Sequence, residues 1–204
     1  MQVLLDLIND VNLGDNLIRS KIWIPNSFRI ITASLTSVEC RSWMIRSPKF
    51  LNGKCIRDLD QVSCDPTLLV LWLDLMLSLT SYYDGQNWLA KNSELVNLLV
   101  DKATLDESLP SLAILRNLTF HPGGRAKLLL LPNYISLLNQ CLKSGPGARR
   151  RLSLISIWSL SANCHKAKVE LAKHGIMVTL EEVIGEDIED TLASTVSNIV
   201  KKIQ

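Results

Sequence analysis

The chain has 204 residues, of which 47% are hydrophobic but only 5% aromatic, and its 37 leucines favour helices packed through aliphatic side chains over an aromatic-rich β-sandwich. Lys and Arg total 22 against 20 Asp and Glu, and a formal charge of +2 lacks the basic surplus of a nucleic-acid binder, so no nucleic acid is expected as a partner. Five scattered cysteines (Cys40, Cys55, Cys64, Cys141, Cys164) show no CxxC spacing and read as free thiols of a reducing compartment.

Met1 opens directly into an amphipathic run, Val3, Leu4, Leu7, Ile8 and Val11, which argues for a helix over residues 1–13 and against a signal peptide. Trp23, within Lys21-Ile22-Trp23-Ile24-Pro25, is expected on a loop or edge and exposed. A helix then ends at Ser34-Leu35. A short helix follows over Cys40–Arg46, then Pro48 and a second helix over Phe50–Leu59.

Asp65-Pro66 supplies an N-cap and first turn for the most apolar stretch, Leu68–Leu79. That stretch is 12 residues long and carries Asp74. It falls short of the roughly 20 residues a bilayer span requires, so no membrane span is expected. Trp72 belongs to the core face of this helix, and Trp88 to the following short one.

Downstream, three triplets follow. Gln86–Lys91, a break at Asn92 and Glu94–Lys102 precede a helix ending at Asn117-Leu118. Gly124–Leu131, Pro132 and Asn133–Lys143 lead through Gly145-Pro146-Gly147 to a helix ending at Ser159-Leu160. His165–Lys173, Gly175 and Ile176–Ile184 lead through Gly185 to a last helix, Asp187–Ile203.

The aliphatic anchors Leu35, Leu79, Leu118, Leu160 and Ile199 are spaced by 44, 39, 42 and 39 residues. This matches the period of about 40 shared by HEAT and armadillo units, and the extra short helix in each period favours the three-helix armadillo form. Apolar or small partners three, four and seven residues before each anchor make one buried helical stripe, for example Leu115, Ile114 and Ser111 before Leu118. The expected fold is an all-α, right-handed superhelical solenoid. It forms one domain over residues 1–204, with units at approximately 1–39, 40–80, 81–120, 121–161 and 162–204, and is expected to be the C-terminal fragment of a longer chain.

The stretch Ile157-Trp158-Ser159-Leu160-Ser161-Ala162-Asn163-Cys164-His165-Lys166-Ala167-Lys168, followed by Leu171 and His174-Gly175-Ile176, resembles the armadillo consensus. So does Leu115-Arg116-Asn117-Leu118-Thr119-Phe120-His121-Pro122 with Arg125-Ala126-Lys127-Leu128. The resemblance covers about residues 66–204 and, within the superfamily, is greatest to the C-terminal region of the rotatin family of centriole and basal-body scaffolds. It implies a scaffold for centriole assembly or elongation and ciliogenesis, placed in the cytoplasm at the centriole, centrosome or ciliary basal body. The partner it implies is a centriolar protein of the phosphatase-1 regulatory-subunit type.

No reaction motif stands in the chain: there is no GxSxG, HExxH or P-loop, and Cys164-His165 and His174 lack a carboxylate to complete a catalytic or metal constellation. No enzyme, metal or cofactor is expected. Because the third helices of a solenoid line its concave face, Asp74, Ser78, Arg116, Asn117, Ser159 and Asn198 are candidate partner contacts, with a solvated polar stripe as the plainer reading. The Trp–Asn pairs of nuclear-import receptors are missing, since the corresponding pairs are Asp74/Ser78, Ala113/Asn117, Ile155/Ser159 and Ser194/Asn198.

Arg149, Arg150 and Arg151 stand at a helix start, where the macrodipole disfavours each cation by several tenths of a kcal/mol. They are either an anchor for an acidic partner segment or phosphate, or a solvated loop edge, and the second reading carries more weight. Ser153, in a sequence resembling a basophilic kinase site, is expected to face the core. The alternatives to a centriolar scaffold are another cytosolic or nuclear armadillo adaptor, or a regulatory adaptor subunit of a phosphatase or ubiquitin ligase.

Overall fold

The computed structural model describes residues 17–47, 66–105, 108–145, 147–162, 164–183 and 190–201, and every regular element among them is an α-helix. The expectations for residues 1–13, Phe50–Leu59, Gly185, Asp187 and the Trp23 side chain fall outside the described residues. The chain divides into two compact units, residues 1–88 and 89–204.

The first unit contains α1 (Leu17–Ser34), α2 (Val38–Arg46), α3 (Pro66–Thr80) and most of α4 (Tyr83–Lys91). Residues 21–25, expected as a loop or edge, are helical instead, with Pro25 inside α1. Proline removes one backbone donor, but the helix continues because Phe28, Ile31 and Leu35 recur at helical spacing and are all buried. α1 packs against α3, which contributes Trp72, Leu75, Met76 and Leu79 to the core. At the start of α2 the Ser37 hydroxyl accepts from the Cys40 backbone N–H at 3.3 Å, an N-cap that satisfies an otherwise orphaned donor.

The second unit contains α5 (Ser93–Leu105), α6 (Leu109–Leu118), α7 (Pro122–Leu129), α8 (Pro132–Ser144), α9 (Gly147–Ser161), α10 (His165–Lys173), α11 (Ile176–Val183) and α12 (Asp190–Lys201). Punctuation follows residue chemistry. Ser108 caps α6 through the Ser111 N–H, and Pro110, Pro122 and Pro132 each occupy a first turn, where a missing N–H costs nothing. Gly175, at φ +74°, makes the left-handed turn between α10 and α11. α10 keeps the bounds expected from sequence, and α11 is described over Ile176–Val183.

Packing in this unit recurs at every third helix. α5 lies on α6, α8 on α9 and α11 on α12; in addition α5, α8 and α11 stack in order, as do α6, α9 and α12. Polar bonds join these stacks over about one sequence period. The Ser159 hydroxyl donates to the Thr119 carbonyl at 2.9 Å, and the Thr179 hydroxyl donates to Asn139 Oδ1 at 2.6 Å. Asn139 Nδ2 also donates to the His174 carbonyl at 3.1 Å. The anchors Leu118 and Leu160 are wholly buried, each contributing about 1.5–3 kcal/mol of transfer free energy.

Candidate interaction surface

The third helix of each period is positioned by its anchor, so the residues flanking the anchor decide what the helix shows to solvent. The residue just before the anchor is buried on α6 and α9 but not on α12. Asn117 and Ser159 are at 6% and 3% exposure, and Ser159 spends its hydroxyl on the Thr119 carbonyl. Asn198, on α12, is exposed although α9 packs on that helix. In the first unit Asp74 is exposed and Ser78 half-buried. The expected stripe of polar contacts is therefore narrower than the sequence suggests, because Asn117 and Ser159 are withdrawn from solvent.

The arginine run is resolved residue by residue. Arg149, 6% exposed, turns inward, and its Nη2 donates to the Ala103 carbonyl at 2.9 Å. Ala103 lies in the last turn of α5, where carbonyls lack intrahelical donors and the dipole is negative. A cation unfavourable at the start of α9 is thus favourable at the end of α5, so Arg149 is a helix-capping residue within the fold. Arg150 is half-buried and Arg151 exposed. Ser153 is wholly buried, as its position in the stripe requires.

Two residues before Leu118 and Leu160 stand half-buried Arg116 on α6 and exposed Trp158 on α9. Trp158 is 41% exposed, while Trp72 and Trp88 are buried. The Arg116 guanidinium lies 5.8 Å from the centre of the Phe120 ring, and Phe120 is 40% exposed. Burial holds the Arg116 pKa below its ordinary value, although arginine remains charged. Phe120 and Trp158 each sit one residue from the Thr119–Ser159 hydrogen bond, on adjoining ends of α6 and α9. Leu109 on α6, also 40% exposed, and Ile155 and Arg151 on α9 extend the same helical rows at spacings of three, four or seven residues.

Neither α6 nor α9 contains an acidic residue, whereas together they carry Arg116, Arg149, Arg150 and Arg151. Elsewhere in the unit, an open cleft of about 300 Å³ is lined by Asn97, Val100, Asp101, Leu131, Pro132 and Asn133. It holds one carboxylate and no cationic or nucleophilic side chain. Among the described residues no group of His, Cys, Asp and Glu is placed to hold a metal ion, and no helix is long and apolar enough to cross a membrane.

Sequence reasoning missed Phe120 and Trp158 as surface residues. Register puts Trp158 two residues before its anchor and Phe120 two residues after, both off the buried stripe, but Ser197, two before Ile199, is buried, so register alone does not decide exposure.

What the fold and this surface define is an all-α protein of recurrently packed helices. No family model matches the chain. It is similar to rotatin of Mus musculus, 29% identical over 119 residues, which is 57% of this chain and 5% of that protein. It is similar also to rotatin of Homo sapiens, 29% identical over 118 residues, 56% of this chain and 5% of that protein. The chain spans about 5% of the length of the rotatins it matches, and the similarity supports a rotatin-like relationship.

Proposed function

We propose that this chain is a non-enzymatic protein-interaction module of a rotatin-like centriolar scaffold, serving centriole assembly or elongation and ciliogenesis. The observation that carries this reading is the similarity to the two rotatins across more than half of the chain. The three-helix recurrence of packing in residues 89–204 supports an armadillo-like solenoid there, and the reading extends it to one repeat domain over residues 1–204. Such a module offers helix faces to a partner and needs no catalytic group. The partner expected from the rotatin resemblance is a centriolar protein of the phosphatase-1 regulatory-subunit type, met in the cytoplasm at the centriole or basal body.

The test is affinity capture with the whole 204-residue chain from extracts of dividing, cilium-forming cells, read by quantitative mass spectrometry. Enrichment of centriolar proteins is expected. Recovery of only import, adhesion or ubiquitin-pathway proteins would refute the centriolar reading and favour another adaptor.

A further inference from the structure

The exposed rows of α6 and α9 combine three properties that ordinary solvated helix faces do not share. They hold Trp158 and Arg116, of the kinds enriched at binding hot spots, with the interface-prone aromatic Phe120 just past the end of α6. They carry cations without any acidic residue of their own helices to neutralise them. And Arg116 is already partly stripped of water in the free chain: its Nε is buried with no hydrogen-bond partner, and its guanidinium lies over Phe120.

A guanidinium that has lost hydration before binding gives up less on meeting a carboxylate than a fully solvated one. Arg151 lies two helical turns from Trp158 on α9, about 10 Å along the helix axis, with Ile155 between them. Apolar contact is therefore flanked by positive charge.

We propose that this face of α6 and α9 binds an acidic protein segment, which sets an aromatic or long aliphatic side chain against Trp158 and Ile155 and carboxylates against Arg116 and Arg151. The proposal rests on the reading of the chain as a protein-interaction module and names the chemistry of the partner segment. A second copy of the chain fits poorly, because a twofold interface through this patch sets its arginines against their own copies. The formal charge of +2 over the whole chain argues against a nucleic-acid backbone.

The test is selection of random peptides from a displayed library on the whole chain, followed by fluorescence anisotropy with the most enriched peptide, labelled with fluorescein. Enriched sequences should carry net negative charge together with an aromatic or long aliphatic residue. Arg151→Glu and Trp158→Ala should each weaken the labelled peptide by roughly tenfold or more, with helicity by circular dichroism unchanged, and added salt should weaken it further. Neutral or basic winners, no enrichment, or equal binding by both variants would overturn the proposal. So would a polyglutamate peptide or single-stranded DNA binding as tightly as the selected peptide, since charge alone would then suffice.

Running the two variants in the cell-extract capture separates this proposal from the broader reading. Centriolar proteins retained equally by both variants would overturn the face and leave the module standing. Loss of those proteins with both variants supports the face.

Discussion

The two units fasten their helices over one sequence period with different chemistry. In residues 1–88 the joint is charged and largely buried: Arg41 Nε donates to both Asp84 carboxylate oxygens at 3.1 and 3.0 Å, while Arg41 Nη1 donates to the Leu35 and Thr36 carbonyls. The Arg41 guanidinium also stacks 3.8 Å from the Tyr82 ring centre. In residues 89–204 two joints are neutral, Ser159 to Thr119 and Thr179 to Asn139, and a charged donor, Arg149, meets a carbonyl, that of Ala103, and no carboxylate.

What the two regions share is the need rather than the residue. A helix C-terminus leaves carbonyls without donors, and Arg41, Gln86, Arg149 and Ser159 each supply one. A repeating backbone therefore constrains where a donor must stand and leaves its charge free to vary.

The comparison is sharpened first at the anchors, where the regions should behave alike. Leu79→Ala and Leu160→Ala, both at wholly buried positions, should each cost about 2–5 kcal/mol in urea denaturation. Unequal losses well outside that range would mean that one anchor does not carry its region's core.

Glycines six residues after an anchor form a second shared feature. A Cβ on Gly85 would stand 2.1 Å from the Leu79 carbonyl oxygen, and one on Gly124 would stand 2.3 Å from that of Leu118. Alanine gains about 1 kcal/mol in helix propensity, but a clash with backbone outweighs it. Both Gly→Ala changes should destabilise by about 1–3 kcal/mol in thermal unfolding. Gly123→Ala meets no backbone, only the His121 ring at 3.2 Å and Ala90 Cβ at 4.0 Å, and should change stability by less than about 0.5 kcal/mol.

At the joints the regions should differ. Arg41→Ala strands a half-buried carboxylate and two carbonyls, and should cost about 1–3 kcal/mol. Ser159→Ala removes one neutral bond and should cost about 1 kcal/mol. Added salt should reduce the Arg41 penalty more than the Ser159 penalty; equal salt response in urea titrations would remove the distinction drawn between the joints.

The smallest expected effect is a pH dependence in the second unit. Burial, reinforced by Arg125 and Lys91, holds the His121 pKa below its ordinary 6.5. Its Nδ1 accepts from the Gly124 N–H at 3.2 Å, a bond available only while that nitrogen is unprotonated. Between the ordinary pKa and the depressed one the unfolded chain binds more protons, so this contribution to stability is present above pH 6.5 and lost as pH falls toward the folded value. His121→Asn, which keeps a cap without a titrating group, should flatten the pH dependence of the urea midpoint in that interval. Glu39 in the first unit, held below its ordinary 4.5 chiefly by the Ser37 hydroxyl, acts in the same direction only in more acidic solution.

Much of the helix order was legible because it depends on local chemistry. Prolines in first turns, the glycine of the α10–α11 turn and the anchor spacing mark the helices from Pro66 onward, and the His165–Lys173 bounds agree with the reading from sequence. Legibility failed at Lys21–Pro25, expected as a loop or edge, where Pro25 is carried inside α1 and the buried row of Phe28, Ile31 and Leu35 follows. Tertiary burial there exceeds the local cost of a missing backbone donor.

The candidate surface divides in the same way. The sequence by itself determined an all-helical chain and the buried stripes that end at Leu79, Leu118 and Leu160, because hydrophobic periodicity records one face of one helix. It also placed the arginine run at a helix start. Only the tertiary structure decided that Arg149 caps α5, that Asn117 and Ser159 are buried, and that Phe120 and Trp158 reach solvent. Periodicity within a helix is a local property, whereas the exposure of a flanking residue depends on which helix stacks beside it, about one period away in the chain.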